Sequence, residues 1–395
     1  MRKARLLVVT TVPETFLTIL RDQPRFLGKF LDLQLATSPA AEFDRITSEE
    51  GIPTNSVIMT RGIHPAHDFL SIFRMLVVLS RVRPDIVHSY TPKAGLVTML
   101  AAFICRVPIR VHTFTGLIFP TQSGLKRKLL VWTDRLICAC STHVVPEGEG
   151  VKNDLVRFSI TKKRLEKIGH GNIAGVDTTH YSRLASHVSG DAAQLRARTG
   201  LTDRDFVFVF VGRLNRDKGI KELISAFNSL DNEPHLLLVG AEDHTAPIDA
   251  ATLEAIDRNP RIHKLGFQTD IRPALAASNV LVLPSYREGF PNAVLQAGAM
   301  ELPVIATDIS GSNEVIEPEF NGWIVPPRQI GPLESAMSEA MRKPKFELAS
   351  MGKRARSRIK ERFEREDHWN RMLEFYTACL ASKHLPLPST DCEAS

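Results

Sequence analysis

Phe208-Val209-Phe210-Val211-Gly212-Arg213-Leu214-Asn215-Arg216-Asp217-Lys218-Gly219-Ile220 reads as an apolar strand that stops at a glycine, a polar loop, and the start of a helix. Alternating valine and phenylalanine with no polar residue suits a strand buried on both faces, the environment of a parallel sheet. Gly219 punctuates the turn into the helix. Two cations, Arg213 and Lys218, stand five positions apart in that loop. A guanidinium offers a planar fork of donors and an ammonium a compact charge, a pair suited to a diphosphate. The plain alternative is a solvated strand-to-helix connection.

The same alternation of short apolar runs and longer helical segments extends to both sides. In the first half the expected strands are Arg5–Val9, Asp32–Ala36, Ile86–Ser89, Arg110–Thr113 and His143–Pro146. In the second they are Phe206–Val211, Leu236–Val239, Lys264–Phe267, Val280–Pro284, Val304–Thr307 and Gly322–Val325. Helical segments lie between, among them Ala66–Val82 with Leu70, Phe73, Leu76 and Leu79 at helical spacing. Strands alternating with helices imply an α/β chain of two doubly wound, Rossmann-like domains with parallel sheets. The expected division is 1–182, a polar linker 183–205, 206–366, a helix at 367–382, and a frayed tail at 383–395. Two such domains facing a central cleft would bind ligands at the carboxyl ends of their strands.

Composition narrows the function. At 395 residues, with 43% apolar and 24% charged residues, the chain has ordinary globular composition, neither disordered nor collagen-like. Five cysteines without a C-x-x-C pair fit neither a disulfide scaffold nor a zinc site and read as reduced structural thiols. No apolar run of transmembrane length and no signal-peptide cleavage pattern is present, so the cytoplasm is the expected compartment. The net charge of +6 is uneven. Through Ser182 there are 24 Lys and Arg against 15 Asp and Glu; beyond it, 26 against 29. A basic first half suggests an anionic partner: a phosphorylated substrate, the inner face of a membrane, or nucleic acid. The last lacks an aromatic-interleaved basic motif and is not expected. The turn Thr10-Thr11-Val12-Pro13 holds no glycine and no Walker loop occurs, which argues against dinucleotide and P-loop chemistry.

A second informative segment is Pro284-Ser285-Tyr286-Arg287-Glu288-Gly289-Phe290-Pro291-Asn292-Ala293-Val294-Leu295-Gln296-Ala297. It also runs from a strand into a helix. The first helical turn, from Asn292, would present backbone donors to an anion. Gly289 permits close approach of a ligand, and Glu288 could accept bonds from sugar hydroxyls or simply favour the helix N-terminus.

Arg213 with Lys218, then Glu288-Gly-Phe-Pro about 70 residues on, resembles the donor half of retaining family-4-type glycosyltransferases of the GT-B architecture. The resemblance extends to Thr91-Pro-Lys-Ala-Gly95, Gly124-Leu-Lys-Arg-Lys128, Gly171-Asn-Ile-Ala-Gly-Val-Asp177 and Thr307-Asp-Ile-Ser-Gly-Ser-Asn-Glu314. It points to the bacterial enzymes of capsule, O-antigen and lipid-linked glycan assembly. The resemblance implies that Arg213 and Lys218 hold the diphosphate of a nucleotide sugar, most simply a UDP-sugar. Glu288 would then bond the transferred sugar, with backbone at Gly289 and Phe290, and the helix after Pro291, at Asn292, would face the phosphates. The base would sit near Gly266 and Phe267. The family's ribose-gripping acid falls on Gln296, a departure that removes a charge but keeps hydrogen-bonding capacity. No metal and no cofactor is implied.

The acceptor, a lipid-linked polyprenyl-diphosphate saccharide or other glycan, is expected on the first half. Lys93 opens a helix after Pro92; Lys126, in Lys126-Arg127-Lys128, precedes an apolar stretch; Glu147 ends a strand. Each also reads plainly as a helix start, a solvated face or a strand end. Many relatives carry a histidine just before the glycine that here is Gly116. The position is Thr115, and the nearest histidine, His112, is the catalytic candidate by default. By family, the C-terminal helix, with Trp369, Met372, Leu373 and Tyr376 on one side, packs on the first domain. Rival readings are a GT-B nucleotide-sugar epimerase and a non-catalytic nucleotide-sugar-binding subunit.

Overall fold

The computed structural model describes residues 2–60, 62, 64–243 and 246–389. The chain forms two compact units, one of Met1–Gly175 with Glu366–Ser395, the other of Val176–Arg365.

In the first unit the strands are β1 Arg5–Val9, β2 Asp32–Thr37, β3 Thr54–Ser56, β4 Ile86–Tyr90, β5 Ile109–Phe114 and β6 His143–Pro146. They make one parallel sheet in the order β3-β2-β1-β4-β5-β6. The helices Pro65–Val82, Pro92–Ile104 and Gly124–Cys140 share a core on one face with Leu7, Val9 and Val87. The other face carries Leu6, Val8 and Phe16 together with Met372, Phe375 and Tyr376 of the C-terminal helix Arg365–Ala381. Parallel strands covered on both faces must be apolar almost throughout, which is why they were readable from sequence.

The second unit repeats the plan with β7 Val207–Val211, β8 His235–Val239, β9 Ile262–Gly266, β10 Val280–Leu283, β11 Val304–Thr307 and β12 Gly322–Val325. The order is β12-β11-β10-β7-β8-β9, again all parallel. Helices Ile220–Asn228 and Asn292–Ala299 follow β7 and β10.

Several expectations need correction. The stretch 183–205 is not a linker: Ser186–Arg198 is helical, and its Val188, Ala192 and Leu195 are in the core of the second unit. Arg183 and Arg196 donate to the carbonyls of Ala276, Ala277 and Ser278, fastening this segment down. The second unit therefore begins at Val176. β3 was not foreseen, because Thr-Asn-Ser carries no apolar pattern. β9 lies earlier than expected and leaves Phe267 outside, exposed. In Pro65–Val82 the buried side runs through Met75, Val78, Leu79 and Val82, whereas Leu70 and Phe73 face solvent. The tail is held as far as Ser389, whose N–H donates to the Phe30 carbonyl at 2.9 Å; residues 390–395 of the expected tail lie outside the described residues. Cys105, Cys138, Cys140 and Cys379 are free, and burial pushes the Cys138 thiol up to about 12.

Candidate active site

The second sheet changes winding direction between β7 and β10, and the loops after these two strands meet at that switch point, the place where open α/β sheets hold ligands. Those loops are the two segments singled out above. After β7 the chain makes one short turn, Arg216–Lys218, capped by the Asn215 side chain, which accepts from Lys218 N–H. Gly219 follows at φ +68°, and a Cβ there would lie 2.1 Å from the Pro284 carbonyl oxygen. Only glycine lets the two loops touch. The Tyr286 N–H then donates to the Asp217 carbonyl at 2.8 Å, and Arg287 pairs with Asp217 at 3.0 Å.

This contact places Lys218 Nζ 2.5 Å from Glu288 Oε1, both side chains mostly buried. Cation and carboxylate thus stand together where the two loops meet. Arg213 is exposed and its Nη1 donates to Asp243 Oδ2 at 2.6 Å; Asn215 donates to the same oxygen at 3.1 Å. The Tyr286 hydroxyl donates to the Glu222 carboxylate at 2.6–2.7 Å, and burial raises its pKa; Arg328 lies 4.7 Å over its ring.

The helix Asn292–Ala299 starts where expected, with Pro291 as its first, non-helical residue. Gly311, at φ +81°, packs so tightly that a Cβ would fall 2.7 Å from both the Gly289 carbonyl and Pro291 Cδ. Thr307 Oγ1 donates to the Ser285 carbonyl. The loop that bears Glu288 is therefore braced from the β11 side. The Phe290 ring is buried against Phe363, leaving its backbone as the part a ligand could use. Gln296 Nε2 donates to the Tyr181 hydroxyl at 2.8 Å, which leaves its carbonyl as an acceptor. Gly266, at φ +67°, ends β9 and its carbonyl accepts from Gly240 N–H at 2.8 Å, two strands away from the Lys218 loop.

The first unit has its own switch point, between β1 and β4. There Thr11 Oγ1 and Thr91 Oγ1 are 2.6 Å apart, and Thr91 adopts φ +71°, a costly conformation for a β-branched residue. Lys93 is engaged: its Nζ lies 2.6 Å from Asp68 in a nearly buried pair. Thr115 and Gly116 follow β5 and are half-exposed; Lys126 is exposed; Glu147 is buried, with its backbone bonded to Phe114 and Asn172.

His112 does not reach a site. It is wholly buried on β5 with Nδ1 2.8 Å from Ser89 Oγ, and burial pulls its pKa down to about 3. The ring lies so close to Gly95 that a Cβ there would come within 2.4 Å of Cε1. A neutral ring sealed between strand and helix packs; it does not shuttle protons, so the catalytic role expected for His112 is withdrawn. Among the described residues no group of three or more His, Cys, Asp or Glu is arranged to hold a metal ion.

Sequence reading missed Asp243, Asp217, Tyr181 and the threonine pair. Tyr181 lies 115 residues from Gln296, and no local pattern joins them.

Comparison with known proteins agrees with this fold. Two family models match: Glycosyl transferase 4-like domain over residues 21–171 and Glycosyl transferases group 1 over 205–343. The capsular polysaccharide biosynthesis glycosyltransferase CapM of Staphylococcus aureus is 26% identical over 385 residues, 96% of this chain and 98% of that one. An Escherichia coli relative, the UDP-Gal:alpha-D-GlcNAc-diphosphoundecaprenol alpha-1,3-galactosyltransferase, is 25% identical over 82% of this chain and 83% of its own. Among solved structures, Anabaena HepE in complex with UDP and glucose superposes with a TM-score of 0.79 at 17% identity, over 95% of this chain and 100% of that one, a likeness of fold. With family matches to both halves and the GT-B architecture of two Rossmann-like units, the chain belongs to the group 1 glycosyltransferases.

Proposed function

We propose that this glycosyltransferase moves a sugar from a nucleotide diphosphate sugar, a UDP-sugar, to a hydroxyl of a polyprenyl-diphosphate-linked saccharide or related surface glycan, with retention. One observation carries the donor half: the Lys218–Glu288 pair, with Arg213 nearby, spans the switch point of the second sheet. A diphosphate needs cations and helix-start donors, and a sugar needs a carboxylate to accept its hydroxyls. The names of the S. aureus and E. coli relatives, which speak of capsule and of a diphosphoundecaprenol acceptor, support the acceptor class.

In the reaction the acceptor oxygen bonds the anomeric carbon from the face that the diphosphate leaves. The bond from that carbon to the phosphate oxygen breaks, and the leaving phosphate takes the acceptor's proton. Lys218, Arg213 and the start of the Asn292–Ala299 helix neutralise the departing charge, the service a metal would otherwise supply, so we assign no cofactor. Losing one such contact typically costs about 3 kcal/mol, or 100-fold in rate. The acceptor belongs to the first unit in this reading, at the Thr11–Thr91 pair, Thr115–Gly116 and Lys126, with the enzyme working at the inner face of the cell membrane.

The test is calorimetry with UDP, GDP, ADP and their sugar conjugates, followed by UDP-release assays on a polyprenyl-diphosphate-linked saccharide. Binding of one nucleotide family, lost in Lys218→Met, supports the reading. Binding of none overturns it.

A further inference from the structure

Two helices of the first unit carry apolar stripes on the side away from the core. In Pro65–Val82 the buried positions are Asp68, Ser71, Met75, Val78, Leu79 and Val82. At 100° per residue, Phe69, Leu70, Phe73 and Val77 fall opposite them, and Phe69 is 74% exposed. In Gly124–Cys140 the buried side is Asp134, Ile137 and Cys138, and Leu125, Leu129 and Trp132 lie opposite, Leu125 at 81% and Trp132 at 60%. Both helices flank Pro92–Ile104 in one layer over the sheet, so the stripes belong to the same outer face. Singly exposed apolar residues need no explanation, but two stripes on one face, of four and three aromatic and aliphatic side chains, mark an interaction surface.

The charges around them identify the partner. Between residues 65 and 140 there are ten Lys and Arg and three Asp, and Asp68, Asp85 and Asp134 are all buried. Among residues 65–140 no carboxylate is exposed, while Lys126 and Lys128 project from the helix that carries the Leu125–Trp132 stripe. An apolar stripe with cations at its margins and an indole at its edge is the pattern of a helix lying in an anionic bilayer surface. A second copy of the chain fits poorly, since pairing two such faces would set their cations together with no carboxylate between. No helix of the described residues is long and apolar enough to cross a membrane.

We propose that the outer face of Pro65–Val82 and Gly124–Cys140 docks flat on an anionic phospholipid surface, inserting Phe69, Phe73, Leu125 and Trp132 among the headgroups. This rests on, and specifies, the membrane-surface part of the reading above. Cations add roughly fivefold each to partitioning near such a surface, and the effect fades with salt.

The experiment is sedimentation of the full chain with phosphatidylcholine vesicles with and without phosphatidylglycerol, at low and high salt, alongside tryptophan fluorescence. Trp323 and Trp369 are buried, so a blue shift on binding reports Trp132. The parent should bind the anionic vesicles, and high salt should weaken it at least tenfold. Phe69→Ser/Phe73→Ser and Leu125→Ser/Leu129→Ser should each lose tenfold or more. Phe346→Ser, equally exposed in the second unit, should bind as the parent does. UDP binding measured on the same variants should not move, which separates this inference from the donor-site reading. No binding to anionic vesicles, equal binding by the stripe variants, or a dimer that those variants dissolve would each overturn it.

Discussion

Replacing Lys218 by methionine and Glu288 by glutamine should move UDP affinity in opposite directions while lowering turnover in both. The pair is close, at 2.5 Å, and its side chains are only 20% and 14% exposed. An ammonium has three donors, so Lys218 can keep one on Glu288 and turn others to a diphosphate without breaking the pair. Hydrogen bonds to charged groups are worth about 1.5–3 kcal/mol, so Lys218→Met should weaken UDP roughly 10- to 100-fold. It also strands a largely buried carboxylate, at a stability cost of about 1–2 kcal/mol, reduced from the fully buried case because Glu288 keeps some water. Glu288→Gln removes a negative charge beside the diphosphate site, so UDP should bind a few-fold tighter. Transfer should nevertheless fall on the order of 100-fold, because an amide grips sugar hydroxyls less strongly than a carboxylate. Calorimetry with UDP, thermal melting, and UDP release with acceptor present measure the three quantities. If Lys218→Met binds UDP within twofold of the parent, or if both variants weaken UDP alike, the pair is not the diphosphate and sugar grip.

Gly219→Ala would drive a Cβ to 2.1 Å from the Pro284 carbonyl at φ +68°, and should cost roughly 2–4 kcal/mol in urea denaturation; a change under 1 kcal/mol would mean the two loops are not in contact. Burial lifts the Asp134 carboxyl to about 7 from an ordinary 3.8, so the folded chain holds a proton that the unfolded chain releases. Stability should fall as pH rises from about 4 to about 7 and then level off, by up to about 4 kcal/mol, and Asp134→Asn should abolish that slope and gain most near pH 8. Gln296→Glu puts a carboxylate where the Tyr181 hydroxyl can donate to it, and should tighten UDP up to about tenfold through a charge-assisted ribose contact. Tyr181→Phe frees the Gln296 amide to turn and should weaken UDP severalfold by calorimetry.

Strands were legible where burial on both faces left no polar residue, as in Val280–Leu283, and illegible where an edge strand is as polar as Thr54–Ser56. The Ser186–Arg198 helix has its core contacts at Val188, Ala192 and Leu195, the right spacing, but the polar residues around them read as a linker. Pro65–Val82 shows a different limit. It carries apolar stripes on two sides, and periodicity says that a stripe exists without saying which one faces the sheet. Lys218 and Glu288 were legible because each lies in a loop that runs from a buried strand into a helix, a position that needs no partner to be noticed. Asp243, 30 residues from Arg213, and Tyr181 could be found only once strand order had put distant loops side by side.

The two sheets have the same winding, so their switch points can be compared as chemistry on one scaffold. In the first unit the loops that meet there offer two hydroxyls, Thr11 and Thr91, 2.6 Å apart, and its one lysine there, Lys93, is held in a nearly buried pair with Asp68. In the second they offer a cation and a carboxylate. Hydroxyls can orient a neutral group but cannot offset the charge that develops on a departing diphosphate; a lysine with an arginine near it can. Topology therefore fixes where each unit can hold a ligand, and in the proposed reading residue type decides which half of the reaction it handles. On that reasoning exchanging chemistry between the switch points, for instance placing a lysine at Thr11, would add an anion site to the first unit without creating a second donor site, because the carboxylate for the sugar and the Gly219 contact that positions it would both be missing.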